Sequence, residues 1–228
     1  GDEITTITFD CYGTLIDWET GLLGALVPWL EGRGVSADRS TLLSLYAQYE
    51  PEEQGGAYRT YRAVLSGVMK RFAAHFNVSI HAAECELLAD SIACWKPFPD
   101  TGDALLRLSS SRRLAVISNI DNELFALTRR HLPDVFSEVI TAEEVGAYKP
   151  SHRNFLAAQH RLSCGRAEWL HAAESLFHDI QPCNQLGIRS AWINRRAGAN
   201  GPGATRACDA TPDWSLSSLS DLAAIMAP

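Results

Sequence analysis

The segment "ITTITFDCYGTLIDW" (residues 4–18) contains the first predicted strand and its most informative side chain. β-Branched and apolar residues alternate over residues 4–9, a pattern that is typical of a buried β-strand. The run ends on a carboxylate, Asp10, which is followed by Tyr12, Gly13 and Thr14. A buried carboxylate loses hydration free energy unless neighbouring groups compensate for it. Asp10 is therefore a candidate for a chemical role.

Four later apolar runs resemble the first because each ends at polar residues; they cover residues 113–119, 137–150, 174–179 and 189–195. Segments of helical length lie between them, at 121–132, 151–162 and 167–173. This alternation predicts a doubly wound α/β fold, with a parallel, Rossmann-like sheet covered by helices. Ligands bind such sheets at the carboxyl ends of the strands. Asp10, Ser118, Asn119 and Asp179 are all expected at that edge.

Residues 16–97 break this alternation, since they contain consecutive helical patterns and no predicted strand. We interpret them as an all-helical cap inserted into the α/β core. The core would then comprise residues 1–15 and 98–228. The segment "KPFPDTG" (residues 96–102) carries two prolines before a new helix and marks the return to the core.

The composition excludes several classes of partner. The 228-residue chain has a formal net charge of -7 and no run of Lys or Arg, so no nucleic-acid or anionic-membrane partner is predicted. No signal-peptide pattern and no apolar run long enough to span a membrane is found. The six cysteines form no CxxC pair, so neither a zinc site nor a disulfide framework is predicted. We expect reduced thiols and a cytoplasmic protein.

Four short motifs occur in order along the chain: Asp10-x-Tyr12-Gly13-Thr14-Leu15, Ser118-Asn119, Lys149-Pro150 and the acidic Asp179. Together they resemble the motifs of the haloacid dehalogenase superfamily, with a helical cap after the first. Phosphatases of that superfamily generally carry a second Asp two residues after the nucleophile, where this chain has Tyr12. The Asp-x-Tyr-Gly-Thr form is similar to the L-2-haloacid dehalogenase (type II) branch.

This resemblance implies a hydrolase of short 2-haloacids that acts through a covalent aspartyl ester. Asp10 would be the nucleophile, with Thr14 and the backbone amides of Cys11 to Leu15 as hydrogen-bond donors. Lys149 would hold Asp10 ionised and offset the charge of a small anionic substrate. The expected substrate-binding residues are Cys11, Tyr12, Asn119, Arg59 and Arg62, and Ser118 is expected to act in catalysis. No cofactor is implied, and a homodimer is possible.

Two questions about the site stay open at the level of sequence. Asp179, His178 or Gln181 could position the hydrolytic water. One cap arginine is expected over the cleft, and helical spacing lets at most one of Arg59 and Arg62 face it.

The alternatives are a Mg²⁺-dependent phosphatase of small metabolites and a catalytically silent anion-binding protein. Asp179 favours the phosphatase because it supplies a carboxylate for Mg²⁺, whereas Tyr12 and Asn184 oppose it. The silent binding protein is possible because a fold does not settle function.

Overall fold

The computed structural model describes residues 4–196 and 208–227. Its centre is a six-stranded sheet with the strand order β3-β2-β1-β4-β5-β6, in which every neighbouring pair is parallel. The strands are β1 (Thr6–Phe9), β2 (Arg113–Ser118), β3 (Phe136–Thr141), β4 (Trp169–Ala173), β5 (Arg189–Ile193) and β6 (Trp214–Leu216). The chain therefore crosses from β1 outward in both directions, and the predicted doubly wound class is confirmed.

Both faces of the sheet are buried. Leu114 and Val116 of β2 belong to one hydrophobic cluster, whereas Ala115 and Ile117 belong to another on the opposite face. Helices cover the two faces, because a parallel sheet leaves apolar side chains on both of its sides. The core helices are α5 (Thr101–Ser109), α6 (Asn122–Arg129), α7 (Ala142–Val145), α8 (His152–Leu162), α9 (Gln181–Leu186) and α10 (Leu219–Met226).

The expected assignment around the fourth motif was wrong. Residues 167–173, predicted as a helix, form a short 3-10 turn (Arg166–Glu168) and then β4. Residues 174–179, predicted as a strand, lie largely in a single π-helical turn (Leu176–Ile180). All five residues of β4 are buried because the strand pairs with β1 on one side and β5 on the other. A strand buried on both faces lacks the two-residue periodicity by which strands are identified.

The inserted cap between β1 and α5 contributes no strand to the sheet. Its helices are α1 (Trp18–Glu31), α2 (Arg39–Gln54), α3 (Tyr61–His75) and α4 (Leu87–Ser91), with 3-10 turns at Ala82–Glu86 and Ile92–Cys94. Asp17, Asp38 and Thr60 cap the first three helices through side-chain bonds to backbone N–H groups. The sequence limits of this cap, 16 and 97, stay a prediction.

Core side chains hold the start of α3 by hydrogen bonds to the backbone of the cap. Asp121, a buried core residue, accepts hydrogen bonds from the backbone N–H of Tyr61 at 2.7 Å and of Arg62 at 2.8 Å. The hydroxyl of Tyr148, also in the core, donates to the backbone carbonyl of Arg59 at 2.7 Å. These three bonds, here called the cap latch, fix the cap above the carboxyl ends of the strands.

The segment at residues 195–213 is rich in glycine and proline, which indicates a connection before the last helix, and it falls mainly on residues 197–207, which lie outside the described residues. β6 follows this segment and pairs with β5. The sequence pattern did not indicate β6. None of the helices in the described part of the chain has the length and apolar composition needed to span a bilayer.

Candidate active site

Three motif residues meet around one buried ammonium group at the carboxyl end of the sheet. Lys149 Nζ donates to Asp10 Oδ1 at 2.9 Å, to Asp179 Oδ1 at 2.6 Å and to the carbonyl of Ile117 at 3.0 Å. The other carboxylate oxygen of Asp10, Oδ2, accepts from the hydroxyl of Thr14 at 2.7 Å. One buried cation thus lies between two carboxylates, an arrangement that compensates for their lost hydration.

The loop after β1 shapes the backbone around Asp10. Gly13 has φ +95°, a conformation that L side chains rarely adopt, and a Cβ at this position would lie 2.9 Å from Nε1 of Trp18. The amides of Thr14 and Leu15 donate to the carbonyl of Cys11. The Gly13 amide donates within the same loop, to the carbonyl of Ile16. These three amides, expected to face substrate, therefore hold the loop together instead.

A buried chain of hydrogen bonds fixes Asp179 from behind, and sequence analysis did not anticipate it. The indole of Trp169, which can only donate, gives a hydrogen bond to Thr8 Oγ1 at 2.8 Å. Thr8 Oγ1 lies 2.7 Å from His171 Nδ1, and His171 Nε2 lies 2.9 Å from Asp179 Oδ1. An Nε2 lone pair facing a carboxylate would be repelled, so Nε2 of His171 donates a hydrogen bond to Asp179.

The charges at the site follow from this geometry. Burial acts to raise the pKa of Asp179, but Lys149 and His171 outweigh it and lower that pKa to about 2. Burial acts to lower the pKa of Lys149, yet its two carboxylate partners raise it above its ordinary value. The pKa of Asp10 is raised, chiefly by burial, and Lys149 opposes that rise. Lys149 and Asp179 are therefore charged at neutral pH.

A cavity of about 90 Å³ opens above Asp10, between core and cap. Core residues that line it are Asp10, Tyr12, Ser118, Asn119, Lys149, Glu174, Ser175, His178 and Asp179. Cap residues that line it are Trp18, Tyr46, Glu50, Tyr61 and Trp95. Ser118 is fully buried, and its hydroxyl has no hydrogen-bond partner among the described residues. It is available to a ligand that enters the cavity.

Other predicted residues have structural partners. Asn119 binds the backbone of Lys149 twice, accepting from its N–H at 2.7 Å and donating to its carbonyl at 3.2 Å. Tyr12 lines the cavity with its ring, and its hydroxyl lies 2.7 Å from Thr128 Oγ1. Cys11 is buried, and its side chain lies outside the cavity lining. Asn184 bonds the backbone of Thr211 rather than the site.

The prediction that a cap arginine faces the cleft was wrong. Arg59 pairs with Glu53 on the cap surface. Arg62 is held by three carboxylates, those of Glu86, Asp90 and Glu123. The acidic neighbours lie 6 to 61 residues away in sequence and draw both guanidinium groups from the cavity, and no helical periodicity reveals such partners.

The expectation that the reaction needs no metal ion stays a prediction. In residues 4–196 and 208–227, no group of three His, Cys, Asp or Glu side chains is arranged to hold a metal ion. Asp179 Oδ1 already accepts hydrogen bonds from the Lys149 ammonium and from His171. We derive no step through a metal ion.

Comparison with known proteins gives the family. The profile of haloacid dehalogenase-like hydrolases matches residues 4–187 of this chain. The chain belongs to this family of hydrolases. It is also 25% identical over 226 residues to an (S)-2-haloacid dehalogenase of Pseudomonas sp. (strain YL), an alignment that covers 96% of this chain and 92% of the relative. These matches place this haloacid dehalogenase-like hydrolase with the L-2-haloacid dehalogenase branch.

Relatives with other activities are also similar to this hydrolase. A glyceraldehyde 3-phosphate phosphatase of Methanothermobacter thermautotrophicus is 30% identical over 159 residues, covering 63% of this chain and 70% of the relative. Among solved structures, an L-2-haloacid dehalogenase from Xanthobacter autotrophicus with chloropropionic acid covalently bound superposes with a TM-score of 0.82. That pair shares 19% identity and covers 97% of this chain and 98% of the other, which shows a common fold.

Proposed function

We propose that this hydrolase removes halide from a short 2-haloacid through an ester on Asp10. The observation that carries the proposal is the pairing of Asp10 with Lys149 and Thr14 below a cavity in which Tyr12 occupies the place of a phosphatase general acid. Burial raises the pKa of Tyr12 well above its ordinary value, so its phenol is a poor proton donor to an alkoxide. Halide needs no proton to leave, and this site suits such a leaving group.

The first step forms a bond between a carboxylate oxygen of Asp10 and C2 of the substrate, while the carbon–halogen bond breaks and its electron pair leaves with the halide. Asp10 must be ionised to attack, and Lys149 at 2.9 Å favours that state. The substrate carboxylate would lie at the core end of the cavity, where the Ser118 hydroxyl lacks a partner among the described residues.

In the second step water attacks the carboxyl carbon of Asp10. The bond between that carbon and the ester oxygen breaks, so that the hydroxyacid leaves and takes up a proton at its oxygen, and the attacking water gives up a proton. Two candidates could accept this proton. Asp179 is a weak base because its pKa is lowered to about 2. Burial lowers the pKa of His178, which lines the cavity, so its imidazole is neutral at neutral pH and able to accept. We assign this role to His178.

A single turnover in ¹⁸O-labelled water tests the mechanism. Excess enzyme reacts with 2-chloropropionate, and the peptide that contains Asp10 is analysed by mass spectrometry. Label is expected in the Asp10 side chain, and the Asp10→Asn variant should release no halide in steady turnover, whereas Asp17→Asn, a matched change outside the ion-pair cluster, should retain halide release. Label found only in the hydroxyacid would instead mean that water attacks C2 directly. Halide release should also persist after exhaustive chelation.

A phosphatase is the second candidate, because a phosphatase relative is 30% identical and a further acidic side chain, Glu174, lines the cavity with Asp10. Assays of small phosphate esters with added Mg²⁺ separate the two activities. Phosphate release without halide release would replace the proposal by this alternative. Inertness toward both substrate classes would favour the anion-binding reading.

A further inference from the structure

The cap side of the cavity has a chemical character opposite to that expected for an anion site. Glu50 Oε2 accepts from the hydroxyls of Tyr46 at 2.7 Å and of Tyr61 at 2.5 Å, and the two hydroxyls lie 2.8 Å apart. The ring of Trp18 lies against that of Tyr46, with centroids 5.2 Å apart. We call Trp18, Tyr46, Glu50 and Tyr61 the cap subsite. It combines one carboxylate with three aromatic rings.

The balance of charge around the cavity also disfavours an anion at this end. Among the described residues that line the cavity, four are acidic, one is a lysine and none is an arginine. Lys149 is engaged by Asp10 and Asp179 at the core end. Burial and the nearby Glu50 raise the pKa values of Tyr46 and Tyr61 well above the ordinary value, so both phenols stay neutral. Lys149, the cation among the described lining residues, is thus paired with Asp10 and Asp179 and not with the Glu50 carboxylate of the cap subsite.

Both ends of the cavity offer polar atoms without protein partners. Glu50 Oε1 accepts no hydrogen bond from the described residues, since both phenols bind Oε2. At the core end, the fully buried Ser118 hydroxyl is likewise unpaired within the described part of the chain. A ligand that satisfies both would need an acceptor near Ser118 and a donor or cation near Glu50.

We infer that the cap subsite binds a cationic group, an ammonium or quaternary ammonium, at the end of the substrate remote from Asp10. Aromatic faces attract such cations through their quadrupoles, and a partly buried carboxylate adds direct attraction. This inference rests on the proposed function for the identity of the reacting end. It makes the substrate a short zwitterion, with a 2-halocarboxylate at one end and an ammonium at the other.

The test compares two probes of matched shape, choline and its neutral isostere 3,3-dimethylbutan-1-ol, by calorimetric titration of the whole protein. Choline should bind about ten-fold more tightly, or better. The Glu50→Gln variant should lose most of this preference. Glu52→Gln, an exposed site on the same helix that changes net charge equally, should keep it.

Equal affinity for the two probes would overturn the inference, and this comparison needs no variant. A preference for choline that survives Glu50→Gln would also overturn it, because the cation would then bind elsewhere. The titration involves no turnover. A failure of the cap subsite is therefore distinct from a failure of halide release, which would refute the dehalogenase proposal alone.

Discussion

Replacing Lys149 with methionine would remove the ammonium while leaving a side chain of similar length in the core. Lys149 Nζ lies 2.9 Å from Asp10 and 2.6 Å from Asp179. With an effective dielectric constant of about 20, each contact corresponds to about 6 kcal/mol of gross attraction, most of which offsets the desolvation of the three charges. Removing one partner of such a buried group costs about 3 to 5 kcal/mol of unfolding free energy.

The destabilisation should depend on pH with a definite sign. In the wild-type fold the pKa of Asp179 is about 2, below its ordinary value. Its contribution to stability is thus fully present above about pH 4 and is lost as the pH falls toward the folded pKa. Without Lys149, burial and repulsion from Asp10 would raise that pKa above the ordinary value. Protonation would then relieve the variant as the pH falls.

Urea unfolding of wild-type protein and Lys149→Met at about pH 8 and about pH 5 measures both effects. We expect a loss of about 3 to 5 kcal/mol at the higher pH and a loss smaller by at least about 1 kcal/mol at the lower pH. Lys70→Met, an exposed change on α3, is the control. A loss no greater than that of the control, or one independent of pH, would refute the electrostatic account of the site.

Two further substitutions test the nucleophile loop and the cap latch. Thr14→Val removes the hydroxyl that donates to Asp10 at 2.7 Å and should lower kcat/KM for halide release by about 10- to 100-fold, because hydrogen bonds to charged groups contribute about 1.5 to 3 kcal/mol. Thr20→Val, at an exposed position, is the control. Equal kcat/KM values for the two variants would contradict this role of Thr14. Asp121→Ala removes the acceptors of two backbone amides at the start of α3 and should cost about 1 to 2 kcal/mol. Hydrogen exchange at those amides should accelerate relative to exposed Asp134→Ala, and unchanged exchange would contradict the latch.

The motif residues could be predicted because each lies within a short local pattern that fixes its place at the end of a strand or in the following turn. Asp10 follows a clear apolar run, and Lys149 precedes a proline close to a helix start. Parallel strands bring such positions to one edge of the sheet, and the structure does place Asp10, Lys149 and Asp179 in contact there. The catalytic roles assigned to these residues stay predictions.

Residues whose placement depends on distant partners could not be predicted. Thr8 and His171 are 163 residues apart in sequence and meet only because β1 and β4 are neighbours in the sheet. Arg62 turns away from the cavity because Glu86, Asp90 and Glu123 surround it. From the sequence alone, Glu50 would be predicted to be a solvent-exposed residue of a helix. Its position above Asp10 depends on how the whole cap lies on the core.

The cap latch has a consequence for how this enzyme could diverge. Asp121 and Tyr148 bind N–H and C=O groups of the cap backbone. Every residue except proline, which lacks the N–H, has both groups. Substitutions other than proline at positions 59, 61 and 62 would therefore leave these three hydrogen bonds in place. Substitutions in the cap could change which molecules bind in the cavity while the cap latch still holds the cap above Asp10.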